Sequence, residues 1–454
     1  MARSMPPHPA GWAARAWLVP VLLFLGSVCL FASTAATKSV DTDARAAAIG
    51  AWRIASTGKP WLDGVDPAKL TGYSAYKSRP DQWLSPAPNG HVVAQRMAGP
   101  IVAGVPFYAA LDRDARPEAF SLVPAALAAS ILCALSVVAM YEAARARVSV
   151  PYAAAGALLF GFATPTWTVS ANGLWTHTVT QFGIACAAAA MSRDRWWLTG
   201  AFLGVAIMGR PHIALIAAVV GLGVSWSRRR AGIAVRVAIP AISALVGLLL
   251  WNRSVFGAWS LGGAYAENGS QAAVALSGQS DQWANYAGFL ISANRGLLVW
   301  SLAFVVLVPA VIRSWRSLPD WTRWLPLGGV LYSIAQLRLD TFTGGQGFYG
   351  YRLGLELMTC LMPALILSMP RMRSTARWVF PPLVALQIAA LSVGAVYEAF
   401  FIPESQAWTH NAYLFAFGVQ PVLVAAWSGL FVLAGLGISL MLTKRAVSTS
   451  PQSA

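Results

Sequence analysis

Apolar segments close to 20 residues long recur along most of the 454-residue chain, and they constrain its fold more than any other feature. Only 11% of the residues are charged and 57% are hydrophobic, whereas about 25% of a soluble domain is charged. Each apolar segment can cross a bilayer as a helix, because a helix satisfies its own backbone. The sequence therefore predicts an all-α, polytopic transmembrane protein with about twelve spans.

The predicted spans divide the chain into four parts. The first span covers residues 17–33, and the others lie near 119–141, 151–166, 173–191, 196–210, 212–227, 232–252, 297–313, 321–338, 354–370, 378–398 and 419–443. The four parts are a cytoplasmic N-terminus with the first span (1–34), an outer loop with juxtamembrane helices (35–118), a multi-span domain (119–443) and a disordered cytoplasmic tail (444–454). The first run exceeds the usual h-region of a signal peptide, which favours a retained anchor.

Basic residues mark every second junction between the spans. They are Arg145 and Arg147, Arg193 and Arg195, Arg228 to Arg230, Arg313 and Arg316, Arg371, Arg373 and Arg377, and Lys444 and Arg445. The positive-inside rule then places both termini in the cytoplasm and the segments 35–118, 167–172, 253–296, 339–353 and 399–418 outside. The net charge of +16 is accounted for in this way, so no nucleic-acid partner is predicted. The Ala-, Arg- and Trp-rich composition suggests the plasma membrane of a GC-rich bacterium.

Cysteine and histidine offer no metal or disulfide motif. The cysteines Cys29, Cys133, Cys186 and Cys360 each lie in a predicted span without a CxxC partner, and five histidines form no cluster. We predict no structural metal and no certain cofactor, and a divalent cation at the carboxylates stays open.

The outer loop 35–118 begins with the motif Ser39-Val40-Asp41-Thr42-Asp43-Ala44-Arg45. A helix is predicted from Asp43 to Thr57, lying on the membrane surface with its two arginines snorkelling. The segment 73–88 is predicted as irregular loop, and a second helix is predicted for 93–111. Asp43 could be an ordinary acid at a helix N-terminus, but its place beside a bilayer favours a functional role.

With this topology, most of the unusual polar residues collect on the outer face. They are Asp41, Asp43, Arg96, Trp175, His177, Arg210, His212, Glu267, Arg295, Asp340, Tyr351, Arg352, Glu398 and Glu404. Ionisable groups at membrane depth are costly, so they are functional candidates. Three arginines enter or leave spans from outside and suit a phosphate at headgroup depth: Arg210, Arg295 and Arg352. Each could instead be a snorkelling arginine.

A carboxylate with arginines suits the transfer of a sugar from a phosphate to a hydroxyl group. One carboxylate accepts the proton of the attacking hydroxyl, and arginines stabilise the leaving phosphate. We predict Asp43 as the base, with Asp41 as the alternative, and Arg352, Arg210 and Arg295 as phosphate ligands. A single base favours an inverting displacement. Further substrate contacts are predicted at Arg45, Arg96, Trp175, His177 and Tyr351.

Several motifs resemble those of the GT-C superfamily of membrane glycosyltransferases. In that superfamily an Asp in the first outer loop precedes a helix that ends at a Gly roughly fifteen residues, or four turns, later. Asp43 and Gly58 have this spacing, although Ala44 stands where an Asp-Glu pair is frequent. Further similar segments are Arg96–Pro100, Ala171–His177, Leu203–Pro211 and Gly350–Arg352. The resemblance covers most of residues 15–370.

The resemblance implies a polyprenyl-phosphate-linked sugar donor, inversion at the anomeric carbon and an acceptor in the cell envelope, which could be a glycan, lipid or protein. Mannose and arabinofuranose are both plausible sugars. A transporter or flippase for lipid-linked sugars is the alternative, and a scaffold without catalysis is a third. Transporters place ionisable groups near the midplane, often in repeated halves, and no repeat is evident here.

Overall fold

The computed structural model describes residues 17–38, 41–70, 84–262, 282–397 and 402–448. Its regular elements are α1 (Leu18–Thr34), α2 (Thr42–Thr57), β1 (Leu84–Pro86), β2 (Val92–Ala94), α3 (Ala98–Leu111), α4 (Val123–Ala144), α5 (Val150–Phe162), α6 (Thr176–Met191), α7 (Trp196–Gly209), α8 (Ala214–Arg228), α9 (Gly232–Phe256), α10 (Gln282–Ile291), α11 (Leu302–Val305), α12 (Val308–Ser314), α13 (Trp321–Leu339), α14 (Leu355–Ser368), α15 (Ser374–Val396), α16 (Ala412–Val419) and α17 (Pro421–Ser448). The predicted helical fold is confirmed. Glu267, Glu398 and residues 449–454 of the predicted tail lie outside the described residues. The expectation that the tail is disordered from residue 444 is wrong, because α17 continues as a helix to Ser448.

Among the described residues, five helical segments are long and apolar enough to cross a membrane. They are Val123–Ala144, Pro211–Arg228, Gly232–Phe256, Ser374–Val396 and Pro421–Leu440. Shorter apolar helices, including α1, α5 and α7, pack among them. The chain is a multi-pass membrane protein, and the count of about twelve spans stays a prediction. The predicted span 297–313 is a series of short helices, because Pro309 starts a new helix at α12.

The segment 35–118 departs from the predictions in two places. A two-stranded antiparallel sheet, in which Leu84 pairs with Ala94, replaces part of the predicted irregular loop. The predicted start of the second helix at Val93 is therefore wrong, since this residue belongs to β2 and α3 begins at Ala98. Strands of three residues carry too little periodicity to be detected in a sequence.

Helix α2 begins and ends as its sequence dictates. The Asp41 carboxylate caps it by accepting the backbone N–H of Asp43 at 2.9 Å, and Gly58, with φ of 72°, closes it by donating to Ile54. Its alanine-rich face packs against α3. The expectation that Arg45 snorkels to the surface is wrong, because its side chain is 1% exposed and donates to the Leu70 carbonyl.

Helices α6 and α7 pack closely through Gly183. A Cβ placed there would lie 2.5 Å from the Phe202 carbonyl oxygen and 2.8 Å from the Ala206 side chain. Small residues at such contacts let two helices approach inside a membrane, where packing replaces the hydrophobic effect. This contact fixes the ends of α6 and α7 that carry His177 and Arg210.

We expect Gly183→Leu to reduce the yield of monodisperse protein and to lower its melting temperature in detergent. Overpacking a tight contact costs about 1–3 kcal/mol, and here the nearest neighbour is a backbone carbonyl oxygen, which cannot rotate away. Size-exclusion chromatography and a thermal melt measure the change. Gly247→Leu is the matched control, because a Cβ at Gly247 meets nothing within 4 Å. Equal behaviour of the two variants would contradict the packing argument.

Candidate active site

One carboxylate joins three distant parts of the chain at one end of the helical bundle. Asp43, in the first turn of α2, pairs through Oδ1 with Nη2 of Arg96, which precedes α3. Its Oδ2 lies 2.9 Å from Nη1 of Arg352, which precedes α14. Arg96 also donates from Nε to the Asp43 carbonyl oxygen at 3.2 Å. The prediction that these residues collect on one face therefore corresponds to direct contact.

The two aspartates of the motif have different electrostatic surroundings. Burial alone would raise the pKa of Asp43, but Arg96 and Arg352 together lower this pKa to about 2. Burial and the charge of Asp43 raise the pKa of Asp41 to about 6, against a smaller opposing effect of Arg352. Asp43 is therefore ionised at neutral pH, whereas the pKa of Asp41 lies close to neutral pH.

The Gly-rich loop 344–350 brings Arg352 to Asp43. Gly344, Gly345, Gly347 and Gly350 all have positive φ, between 59° and 91°, so side chains would strain this path. The loop also passes so near to Asp41 that a Cβ at Gly347 would collide with Asp41 Oδ2. These glycines let the backbone approach the carboxylates of Asp41 and Asp43 closely.

Arg295 holds the same loop from its other side. Its Nη1 donates to the carbonyl oxygens of Phe348 and Gly350, each at 2.9 Å, and its guanidinium lies 3.8 Å from the centre of the Phe348 ring. The side chain is 4% exposed. Arg295 was predicted as a phosphate ligand, but its contacts are those of a residue that positions the loop carrying Arg352.

Arg295→Lys should loosen the loop 344–350. A lysine ammonium lacks the flat guanidinium that stacks on Phe348 while donating to two carbonyls. Losing about 1.4 kcal/mol of charged hydrogen bonding should raise amide hydrogen exchange in this loop about tenfold. Exchange measured by mass spectrometry tests this, with Arg338→Lys as control, since Arg338 lies on an exposed surface and donates to Tyr286 at 3.0 Å. Unchanged exchange in the loop would contradict the assigned role.

A second polar cluster lies beneath the first, inside the bundle. Glu356 Oε1 accepts from His177 Nδ1 at 2.8 Å and from the Thr180 hydroxyl at 2.6 Å. The other ring nitrogen of His177 lies 2.9 Å from Arg210 Nη2. A neutral histidine with its proton on Nδ1 satisfies both contacts, because Nε2 is then an acceptor for the arginine. Gln336 continues the chain by accepting from Arg210 Nη1 at 2.5 Å.

Glu356 was not among the predicted site residues. It is fully buried in the first turn of α14, four residues after Arg352, and its partners lie on α6. A signal was present in the sequence, because a carboxylate inside an apolar span is costly and has a partner as a rule. The partner, His177, was predicted as a substrate contact. Its ring nitrogens contact Glu356 and Arg210, so it connects the two charged residues.

The remaining predicted residues fall into two groups. Trp175 belongs to the site, since its ring centroid lies 5.2 Å from the Arg352 guanidinium and its ring meets Phe348 edge-on. Tyr351 is buried elsewhere, with its hydroxyl 3.3 Å from that of Ser301. Arg45 contacts the Leu70 carbonyl. Within the described ranges, no group of three or more His, Cys, Asp or Glu side chains could hold a metal ion.

Comparison with known proteins places this geometry in a known fold. The chain is similar to the solved structure of ArnT from Cupriavidus metallidurans bound to undecaprenyl phosphate, with a TM-score of 0.55 and 16% sequence identity over 96% of this chain and 73% of ArnT. It also matches the oligosaccharyltransferase AglB from Archaeoglobus fulgidus in complex with an inhibitory peptide and a dolichol-phosphate, with a TM-score of 0.44 and 10% identity over 94% of this chain and 56% of AglB. No family model and no curated protein matches. The likeness to ArnT gives the chain a GT-C fold, as predicted.

Proposed function

We propose that the chain is an inverting glycosyltransferase that moves a sugar from a polyprenyl-phosphate donor to an acceptor in the cell envelope, on the outer face of the membrane. The observation that carries this proposal is the contact of Asp43 with Arg96 and Arg352 at one end of a GT-C bundle. The similar ArnT structure contains undecaprenyl phosphate, which supports a lipid phosphate as the donor group.

Arg352 has the properties of a phosphate ligand. Its guanidinium is anchored through Nη1 on Asp43 and lies 5.2 Å from the ring centroids of both Trp175 and Phe348. Its buried Nε has no hydrogen-bond partner among the described residues. An anchored, planar cation with a donor to spare can bind a phosphate oxygen without leaving its carboxylate. Arg210 adds positive charge near the same centre, since it also lowers the pKa of Asp43.

The chemistry follows from this arrangement. The acceptor hydroxyl attacks the anomeric carbon while the bond from that carbon to the phosphate oxygen breaks. A carboxylate of the motif takes the hydroxyl proton, and the arginines stabilise the charge that develops on the departing polyprenyl phosphate. Attack opposite the leaving phosphate inverts the configuration. Mannose and arabinofuranose remain the proposed sugars.

Purified protein in lipid nanodiscs tests this function with polyprenyl-phosphate mannose and polyprenyl-phosphate arabinofuranose, each offered with envelope glycan acceptors. We expect one donor to release polyprenyl phosphate and to form a glycoside of inverted configuration. Arg116→Ala, at an exposed arginine of the outer loop, should retain this activity. Movement of intact donor across liposomes without consumption would overturn the proposal in favour of a flippase.

A further inference from the structure

We infer that Asp41 accepts the proton of the attacking hydroxyl, and that Asp43 is a positioning residue that sets the two arginines. The sequence favoured the opposite assignment. This inference rests on the proposed glycosyl transfer. It assigns proton acceptance to one carboxylate and the positioning of the arginines to its neighbour.

The contacts of Asp43 leave it poorly suited to take a proton. Both of its carboxylate oxygens are bound, Oδ1 by Arg96 and Oδ2 by Arg352. A proton could be added only after one of these ion pairs had been broken. Its pKa of about 2 expresses the same cost, since an efficient general base has a pKa near the working pH.

Asp41 has one engaged and one available oxygen. Its Oδ1 accepts the Asp43 backbone N–H at 2.9 Å and lies 3.5 Å from the Thr42 hydroxyl. Within the described part of the chain, its Oδ2 accepts no hydrogen bond and faces Gly347. Glycine at this position leaves room beside the oxygen, because any Cβ would displace it. Asp41 is also half-buried, so a substrate hydroxyl can reach it.

The charges that face Asp41 come from several elements. Asp43 stands beside it on α2, Arg96 precedes α3, Arg352 precedes α14, and Arg295 lies below the loop. Burial and Asp43 dominate and give the pKa of about 6. The carboxylate is therefore ionised at neutral pH and yet basic enough to take a proton during attack.

The charge of the site stays balanced through the reaction. The acceptor oxygen bonds to the anomeric carbon, and the electron pair of the broken bond goes to the phosphate oxygen. The phosphate gains one negative charge while Asp41 loses one with the arriving proton. The summed charge of the phosphate and Asp41 is therefore unchanged, and the negative charge has moved towards the arginines.

Asp41→Asn and Asp43→Asn separate the two roles by their pH profiles. In the wild type, turnover should rise with pH through a midpoint near 6, as Asp41 ionises. Asp41→Asn should lose about 10²- to 10⁴-fold in turnover and also lose this midpoint. Asp43→Asn should lose turnover but retain the midpoint, although removal of the neighbouring charge shifts it to lower pH.

Binding of undecaprenyl phosphate, followed by tryptophan fluorescence, reports folding of each variant independently of chemistry. Asp41→Asn should bind this lipid with a dissociation constant within about threefold of the wild type, which is a change of under ~0.7 kcal/mol. The reason is that the Asp41 oxygens form no ion pair with an arginine. Gly347→Ala should lower turnover as well, because its Cβ displaces Asp41 Oδ2.

Three outcomes decide the matter. Loss of the midpoint in Asp41→Asn alone supports the inference. A wild-type profile in Asp41→Asn overturns it and leaves the glycosyltransferase intact, with Asp43 as the base. Absence of turnover in the wild type with every donor overturns the proposed function and this inference together.

Discussion

Glu356→Ala should destabilise the protein by about 3–5 kcal/mol, which is the cost of leaving a buried charge without its partner. Glu356 is fully buried, its Oε1 accepts from His177 and Thr180, and Arg210 Nε lies 3.9 Å away. Without the carboxylate, Arg210 keeps its charge inside the bundle and His177 loses the group that orients its ring. Reversible unfolding in detergent micelles measures the loss.

Glu118→Ala is the matched control for this prediction. Glu118 also forms an ion pair, at 3.2 Å from Lys69, but both side chains are more than half exposed. Exposed pairs contribute little to stability because water and salt screen them. If Glu356→Ala were no less stable than Glu118→Ala, the buried cluster would not have the structural weight assigned to it.

Arg352→Lys should lower sugar transfer by about 10²- to 10³-fold, the usual cost of losing one donor that stabilises developing charge. The lysine keeps the charge but cannot bind Asp43, stack near Trp175 and donate to a phosphate at once. Steady-state release of polyprenyl phosphate measures the effect. Arg338→Lys, on an exposed surface, provides the control.

The loss in Arg352→Lys should appear mainly in turnover. The interaction with phosphate strengthens as charge develops on it, so its removal affects the transition state more than the bound donor. Turnover within threefold of the wild type would contradict the role of Arg352, since ~0.7 kcal/mol is less than a direct charged contact contributes.

The broad architecture was accessible from the sequence because it depends on local patterns. Apolar length predicts the spans, and Gly58 marks the end of α2 whatever lies around it. The closeness of Asp43 and Arg352 was also within reach, because the positive-inside rule places both segments on one face. That they touch, across 309 positions, depends on packing that no local pattern encodes.

Other features of the site depend on partners that only the folded chain provides. Arg295 is a residue type that commonly binds phosphate, yet its guanidinium donates to backbone carbonyls. The sequence cannot identify these acceptors, because every residue has a backbone carbonyl. Arg45 was expected to snorkel because α2 was predicted to lie on the membrane surface, but in the folded chain its side chain is buried and donates to the Leu70 carbonyl. Glu356 was predictable as a costly group, whereas its pairing with His177 was not.

A cryo-EM structure of the protein in nanodiscs with undecaprenyl phosphate tests the central claim most directly. We predict density for the phosphate within hydrogen-bond distance of Arg352, about 3 Å, with Asp43 still paired and Asp41 facing the open side. The lipid tail should leave sideways between helices. Phosphate bound at the opposite end of the bundle, away from Asp43 and Arg352, would contradict the account.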